Sequence, residues 1–373
     1  MSDPRLAVFW HEDVLRHDTG QGLFEAPDSD RLEVSERHPE NAVRVRNMRS
    51  VLMRGSLSEY LTWFQGRHAT IAELERVHTP GYIEEVRSLC ASGGGRMTAT
   101  TVLGPDSWEA LLAAAGTSLA AAEAVLDGSE RVAYALVRPP GHHAQPAQAD
   151  GYCFFSHCAL IAETARLRGI ERIAVIDWDV HHGNGTQACF WERSDVLTVS
   201  LHMPHGAWGL SHPQTGGVDE LGMGVGQGFN INVPLEFGMG DSGYLRAFSE
   251  VIDPIVRAFD PGLIVVACGQ DASAFDPNGR QCVSMAGFYG LGAAVTALAK
   301  ACCDGRIVLV QEGGYARTYA AFCLQATLEG VLGVVPKSAD PLAFYPDASA
   351  RGEASIEAAR TALQPFWPVL AKH

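Results

Sequence analysis

Nine cysteines are spread over 373 residues without a single CxxC pair, and their number is odd. That argues against a disulfide framework and suits reduced, mostly buried thiols in a cytoplasmic compartment. Met1 to Trp10 carries no long apolar h-region, so no secretory leader is expected. No run is expected to reach the roughly 20 apolar residues of a membrane span. Basic residues are scarce: 28 Lys and Arg stand against 43 Asp and Glu, a net charge of −15. A nucleic-acid surface needs clustered Lys and Arg, so none is expected. There is no GxSxG elbow and no GxxxxGK(S/T) loop, which excludes those serine-hydrolase and nucleotide-binding designs. The glycine run Gly222–Gly228 leads into the strand-like FNINVPL rather than a helix, so it is no dinucleotide fingerprint. Internal repeats and low-complexity linkers are absent as well.

What remains is an α/β rhythm. Apolar, β-rich runs occur at Val132–Val137, Ile173–Ile176, Val196–Leu201, Leu263–Cys268 and Ile307–Val310. Helical stretches lie between several of them: Trp108–Leu126, Phe155–Arg168, Tyr244–Phe259 with a kink at Pro254, and Met285–Cys303. The pattern predicts βαβ units around a mostly parallel sheet with strands buried on both faces. The first hundred residues are less regular, and Gly20–Arg37 reads as surface loop. Residues 337–373 read as a C-terminal appended segment with one short helix. The whole chain, 1–373, is expected to be one domain.

In open α/β sheets, sites form at the carboxyl ends of strands. Five strand ends here carry reactive side chains: RPPGHHA (Arg138–Ala144), DWDVHHGNG (Asp177–Gly185), SLH (Ser200–His202), CGQDAS (Cys268–Ser273) and QEGGY (Gln311–Tyr315). In an extended chain Asp177, Asp179 and His181 share one side, opposite Trp178 and Val180. Two carboxylates and an imidazole suit a divalent metal. Asp179, His181 and Asp271 are therefore assigned to one zinc ion, with room left for water and a substrate oxygen. The same ligand set admits iron, cobalt or manganese. His142 and His143 follow two rigidifying prolines and suit proton transfer, with Asp177 and Asn184 as orienting partners. Tyr315, after Gly313-Gly314, is a candidate hydrogen-bond donor to an oxyanion. Read without the zinc, Asp177 and Asp179 would cap a turn and the histidines would pack in a loop.

These motifs, in this order from His38-Pro39-Glu40 to Tyr315, resemble the zinc-dependent histone deacetylase family. The likeness is to class II deacetylases, bacterial deacetylase-like amidohydrolases and acetylpolyamine amidohydrolases. GYCFF (Gly151–Phe155), NINVPL (Asn230–Leu235) and GMGDSGY (Gly238–Tyr244) belong to the same likeness. The resemblance implies the arginase/deacetylase α/β fold with about eight strands. It implies His143 as the main general base and acid, Asp177 orienting His142, Asn184 orienting His143, and Tyr315 on the carbonyl. It implies structural potassium near Asp177, Asp179, His181, Ser200 and Leu201, and a second ion near Phe190, Arg193, Val196 and Phe229. Gly151, Tyr152, Trp208, Gln270, Gly313 and Gly314 would line the substrate channel. Tyr152 stands where a Phe is usual, Gln270 replaces a Phe before the metal Asp, Thr100 replaces an acidic rim residue, and Asn278 takes an apolar rim position. The expectation is an amidohydrolase acting on an acetyl-lysine, an acetylpolyamine or a small amide, assembled as a homo-oligomer. An acyl-ligand-binding protein on the same fold is the alternative, and a two-metal arginase-like hydrolase is a third reading.

Overall fold

The computed structural model describes residues 5–20, 31–34, 36–204, 215–343 and 352–371. Its centre is an eight-stranded, wholly parallel sheet. The strands are β1 (Leu6–Trp10), β2 (Leu61–Gln65), β5 (Val132–Ala135), β6 (Ile173–Asp177), β7 (Val196–His202), β8 (Asn230–Pro234), β9 (Leu263–Cys268) and β10 (Ile307–Gln311). A small antiparallel pair, β3 (Gly95–Arg96) and β4 (Val102–Leu103), stands apart. The sheet order is β2-β1-β5-β10-β9-β6-β7-β8. Every residue of β6, β7, β9 and β10 is buried, which explains why their sequences read as continuous apolar runs rather than alternating ones.

The expected strands and helices occur within a few residues of their predicted bounds. β1 and β2 lie in the stretch that looked irregular. β2 is an edge strand whose exposure rises along LTWFQ, so it carries little hydrophobic signal. The predicted helix at 244–259 is broken into Asp241–Ala247, a π-helical turn Phe248–Ile252, and Asp253–Phe259. Pro254 has no N–H to continue the helical ladder, so the hydrogen-bond register slips just before it.

Helices Ser107–Leu126 and Met285–Cys302 are, by length and composition, long and apolar enough to cross a membrane, against the expectation that no run would be. Ser107–Leu126 packs on β1, β5, β10 and helix His157–Leu167. Met285–Cys302 packs on helix Tyr319–Leu332. Their Ala-rich surfaces reflect that close packing. Near the C-terminus, helix Glu353–Leu363 buries Ile356, Ala359 and Leu363 in the main core, and the Trp367 indole N–H donates to Gly228 O at 2.7 Å.

Candidate active site

The carboxyl ends of β5, β10, β9 and β6 are neighbours in the sheet, and their exits meet. β6 stops at Asp177, and the chain turns at once. Asp177 Oδ1 accepts the Asp179 N–H at 2.9 Å, and Asp179 Oδ1 accepts the His181 N–H at 3.0 Å. These side-chain turns correct the simple alternation argument. Asp177 faces His142, while Asp179 and His181 turn toward Asp271, and Trp178 and Val180 enter the core.

Asp179, His181 and Asp271 converge. His181 Nδ1 lies 3.0 Å from Asp179 Oδ1 and 3.2 Å from Asp271 Oδ2. Around one ion with bonds near 2.1 Å, tetrahedral ligand atoms sit roughly 3.4 Å apart. The other oxygen of each carboxylate is tied to the backbone: Gly313 N–H donates to Asp179 Oδ2 at 2.8 Å, and Val180 N–H donates to Asp271 Oδ1 at 2.9 Å. Asp271 Oδ2 is buried and faces the His181 ring nitrogen at 3.2 Å without a well-aligned hydrogen bond. A buried carboxylate oxygen is costly to leave unmatched, and a divalent cation matches it. Burial pushes the Asp271 carboxyl up to about 7, with the Asp179 charge adding to it. Burial also opposes charge on His181, but its bonds to Asp179 and Asp271 outweigh that and raise it to about 10. The two acids thus draw positive charge to the point where a metal would bind. Gly313 is required there: a Cβ would stand 2.0 Å from Asp271 Oδ2 and 2.6 Å from Asp179 Oδ2.

The histidine pair lies alongside, with ring centroids 4.0 Å apart. His142 Nδ1 is 2.8 Å from Asp177 Oδ2, and His143 Nδ1 is 2.7 Å from Asn184 Oδ1. Asn184 has its amide orientation set from behind, because its Nδ2 donates to Asp150 Oδ2 at 2.9 Å. Asn184 Oδ1 can then only accept, so the proton of neutral His143 sits on Nδ1 and Nε2 is bare. Burial, then the neighbouring His142 and His181, hold His143 well below the usual imidazole range. Burial acts on His142 in the same sense, but Asp179 and Asp177 override it and raise His142. One ring is suited to accept a proton and the other to stay charged.

Tyr315 completes the cluster. Its backbone N–H and that of Ala316 donate to Asp276 Oδ2 at 2.5 and 3.0 Å. Burial raises the phenol well above its ordinary value, so it remains a donor. The Arg44 guanidinium lies 4.5 Å from the Tyr315 ring centroid. Arg44 also donates through Nε to Gly314 O and through Nη2 to Glu312 O, both at 2.7 Å, and through Nη1 to Glu40 Oε1 at 2.9 Å. Glu312 holds the other side: its Oε2 accepts from Gly141 N–H at 2.6 Å and His142 N–H at 3.1 Å.

The channel residues divide. Gly151 (φ 48°) presses its Cα against the His143 ring, where a Cβ would lie 2.2 Å away. Tyr152 stacks edge-on to Tyr315 at 5.6 Å and to His38 at 4.9 Å, and Asn278 Nδ2 donates to its phenol oxygen at 3.2 Å. Thr100 is buried rather than at a rim, its carbonyl 3.3 Å from His38 Nε2. Gln270 does not line the channel. It is fully buried beneath Gly313-Gly314, donating to Cys268 O at 2.7 Å and accepting from Gln311 Nε2 at 2.8 Å. A strand end next to the candidate ligands offers that underside as well as the open side, and a second amide, Gln311, is available below. Trp208 lies outside the described residues. Ser200 and Leu201 sit on β7, where Ser200 pairs with Asp177. Phe190, Arg193, Val196 and Phe229 gather at the opposite end of β7: Phe190 O accepts from Arg193 N, and Phe229 O accepts from Thr198 N, both at 3.0 Å.

Arg44, Glu312, Asp276 and Asp150 were not singled out from sequence. Arg44 carried one usable signal: it stands one helical turn, i+4, after Glu40 of the HPE motif.

A family model, "Histone deacetylase domain", matches residues 38–331. The chain is 50% identical over 370 residues to "Histone deacetylase 8" of Arabidopsis thaliana, covering 98% of each chain. It is 40% identical to a "Histone deacetylase-like amidohydrolase" of Pseudomonas aeruginosa, covering 91% of this chain and 89% of that one. It is 34% identical to "Polyamine deacetylase HDAC10" of Homo sapiens, covering 98% of this chain and 53% of that protein. The solved structure of the HDA15 HD domain superposes with a TM-score of 0.85 at 31% identity, covering 98% of this chain and 97% of that one.

Proposed function

The chain belongs to the histone deacetylase family, and on that premise we propose that it hydrolyses an N-acyl amide using one zinc ion held by Asp179, His181 and Asp271. Deacetylase or amidohydrolase chemistry on an acetyl amide is the activity of the family's members. A zinc ion bound there would supply a Lewis acid for the amide carbonyl and an acidified water. His143 Nε2, bare and facing the site, takes the water's proton as attack begins. Asn184 and Asp150 keep its other nitrogen protonated, so the imidazolium that forms is stabilised and oriented. Tyr315 donates its phenol proton in a hydrogen bond to the developing oxyanion. His142, held by Asp177, keeps positive charge beside the reacting centre. The protonated His143 then returns its proton to the departing amine.

What carries this reading is the convergence of His181 Nδ1 with Asp179 Oδ1 and Asp271 Oδ2 next to a histidine whose bare nitrogen is fixed by two further side chains. The bonded pair Tyr152–Asn278 gives the channel a polar wall. That wall favours a short or polar amide over the aliphatic stem that acetyl-lysine and the N-acetylpolyamines share. Structural potassium is proposed at the carbonyls of Asp177, Asp179, His181 and Leu201 with Ser200, and at those of Phe190, Arg193, Val196 and Phe229. The β6–β7 pairing and the turn after Phe190 support both groupings. A homo-oligomer in the cytoplasm completes the proposal; the absence of a disulfide among the described residues of a chain with nine cysteines supports a reducing compartment.

The test is a panel of acetyl-lysine peptides, N-acetylpolyamines and aryl acetamides. Turnover of at least one by the metal-loaded protein, abolished by a chelator and restored by zinc, is the expected result. A protein that holds one metal equivalent and cleaves none of them would replace this reading with an acyl-ligand-binding one.

A further inference from the structure

A second cluster of metal-binding side chains lies on the far flank of the same sheet edge. β1 and β2 run in parallel register, with Trp10 opposite Gln65. Their exits therefore carry His11 and His68 to one place, and the rings approach to 4.8 Å between centroids. Asp13, on the 3-10 turn Glu12–Leu15, joins them. Its Oδ2 lies 2.8 Å from His68 Nε2 and 3.8 Å from His11 Nδ1. One ligand atom from each of the three lies within 4.8 Å of the others. The opposite nitrogen of His68, Nδ1, lies 3.4 Å from Glu109 Oε2 in the first turn of helix Ser107–Leu126.

We propose that His11, Asp13 and His68 form a second, non-catalytic site for a divalent ion of the zinc, nickel or copper kind, with Glu109 orienting His68 from behind. Two imidazoles and a carboxylate are a ligand set of that chemistry. An ion between His68 Nε2 and Asp13 Oδ2 replaces the proton those atoms share. Glu109 on Nδ1–H gives the carboxylate–histidine–metal order that fixes the tautomer. His11 accepts a 3.2 Å bond from the Asp13 amide, a long contact that the ion displaces or shares. To reach a tetrahedral spacing of roughly 3.4 Å the close His68–Asp13 pair must open and the wider gaps to His11 must close, each by on the order of 1 Å, and side-chain exposures of 20% to 35% leave room to do so. An ion pair alone does not account for the arrangement. An exposed pair contributes little and does not call for a second imidazole against the first. The order β1-β5-β10-β9 places this site three strands from Asp271, roughly 15 Å at about 4.8 Å per strand. An ion there would tie the ends of β1 and β2 to the start of helix Ser107–Leu126.

The experiment compares zinc bound per chain in untagged full-length protein, stripped with a chelator, reloaded and washed. Wild type should hold one equivalent more than His68→Asn, and Asp179→Asn should lose a different equivalent. In Asp179→Asn, zinc at a hundredfold excess over its dissociation constant should raise the Tm by ~3 °C, and the double variant should show no rise. Activity of His68→Asn should stay within twofold of wild type. If His68→Asn does not fold, Asp13→Asn serves in the same comparison. Equal zinc in wild type and the folded variant overturns the proposal, as does a zinc-induced Tm rise that survives in the double variant. Because the readout is the difference between wild type and variant, failure of the catalytic reading leaves this result independent.

Discussion

Arg44→Lys tests whether the oxyanion donor is positioned from behind. Arg44 is fully buried and spends three nitrogens on three acceptors: Gly314 O, Glu312 O and Glu40 Oε1. Lysine keeps the charge but not the planar fork, so it can satisfy only part of this set. Two charge-assisted bonds at about 1.5–3 kcal/mol each are at risk, and partial replacement leaves a net loss of about 3 kcal/mol. With an unfolding entropy of about 2.1 cal/mol/K per residue, 373 residues give ~0.8 kcal/mol per degree, so the Tm should fall by ~4 °C. The guanidinium face 4.5 Å from the Tyr315 ring centroid is lost at the same time. A phenol displaced by about 1 Å should lower kcat by ~10–100-fold with KM little changed. The deciding measurement is a double-mutant cycle with Tyr315→Phe. If Arg44 acts through Tyr315, the second substitution adds little once the first is made. Fully additive losses in kcat, or a lowered Tm with wild-type kcat, would refute the positioning role and leave Arg44 as a fold-stabilising residue only.

Tyr315→Phe alone should lower kcat by about 10²–10³ with an unchanged Tm, because one oxyanion donor is removed; turnover at the wild-type rate would sink the assignment. Asp150→Asn frees the Asn184 amide to flip and present N–H to His143, trapping the wrong tautomer. Its kcat should fall ~10–100-fold with KM steady, and an unaltered kcat would show that Asp150 does not set the tautomer. Tyr152→Phe with Asn278→Leu restores an apolar wall and should raise kcat/KM for an acetyl-lysine peptide by about tenfold, since each buried methylene contributes about 0.8 kcal/mol; no gain would remove the polar wall as the selectivity element. His157 is pushed down to about 4 by burial. The unfolded chain therefore binds the proton first, and stability is full above about 6.5 and lost as pH falls toward 4. At pH 5 this costs about 2 kcal/mol, so the Tm drop from pH 7 to pH 5 should be ~2–3 °C smaller in His157→Leu than in wild type, by calorimetry. Equal drops would contradict a neutral buried imidazole.

The central strands and the reactive groups at their ends were legible because both leave local marks. A strand buried on both faces is a continuous apolar run, and a polar cluster directly after it marks the sheet's carboxyl edge. Asp179, His181 and Asp271 could be chosen on that basis, and the motif likeness to a known family sharpened the choice. The details turned on longer-range contacts. Asp177 looked equivalent to Asp179 by alternation, but its own carboxylate caps the next turn and sends the two acids to different partners. Gln270 read as a channel residue because it precedes the metal acid, yet Gln311, 41 positions away, draws it under the loop. Asp150 and Asp276 act through single hydrogen bonds to Asn184 and to the Tyr315 amide, and no periodicity reports such contacts. β1 and β2 escape notice for a different reason: one has no regular strand–helix rhythm around it and lies near a polar stretch, the other is a half-exposed edge.

The order of motifs along the chain differs from their order in space, and the difference explains how the site is held. In sequence the groups come as His142, Asp179, Asp271 and Tyr315; in the sheet their strands stand as β5, β10, β9 and β6. Each catalytic group is therefore fixed by a neighbour distant in sequence. The Tyr315 loop supplies the Gly313 N–H to Asp179, the loop after β6 supplies the Val180 N–H to Asp271, and Glu312 holds the backbone at His142. No ligand is oriented by its own loop alone. The candidate ligands and the backbone bonds on them come from the ends of β6, β9 and β10, so affinity for an ion there and the pairing of those strands would be linked quantities. On the proposed reading, a substitution that loosens one of these backbone bonds should reach the ligands through the others, and Arg44→Lys is the test of that coupling from a residue that does not face the substrate.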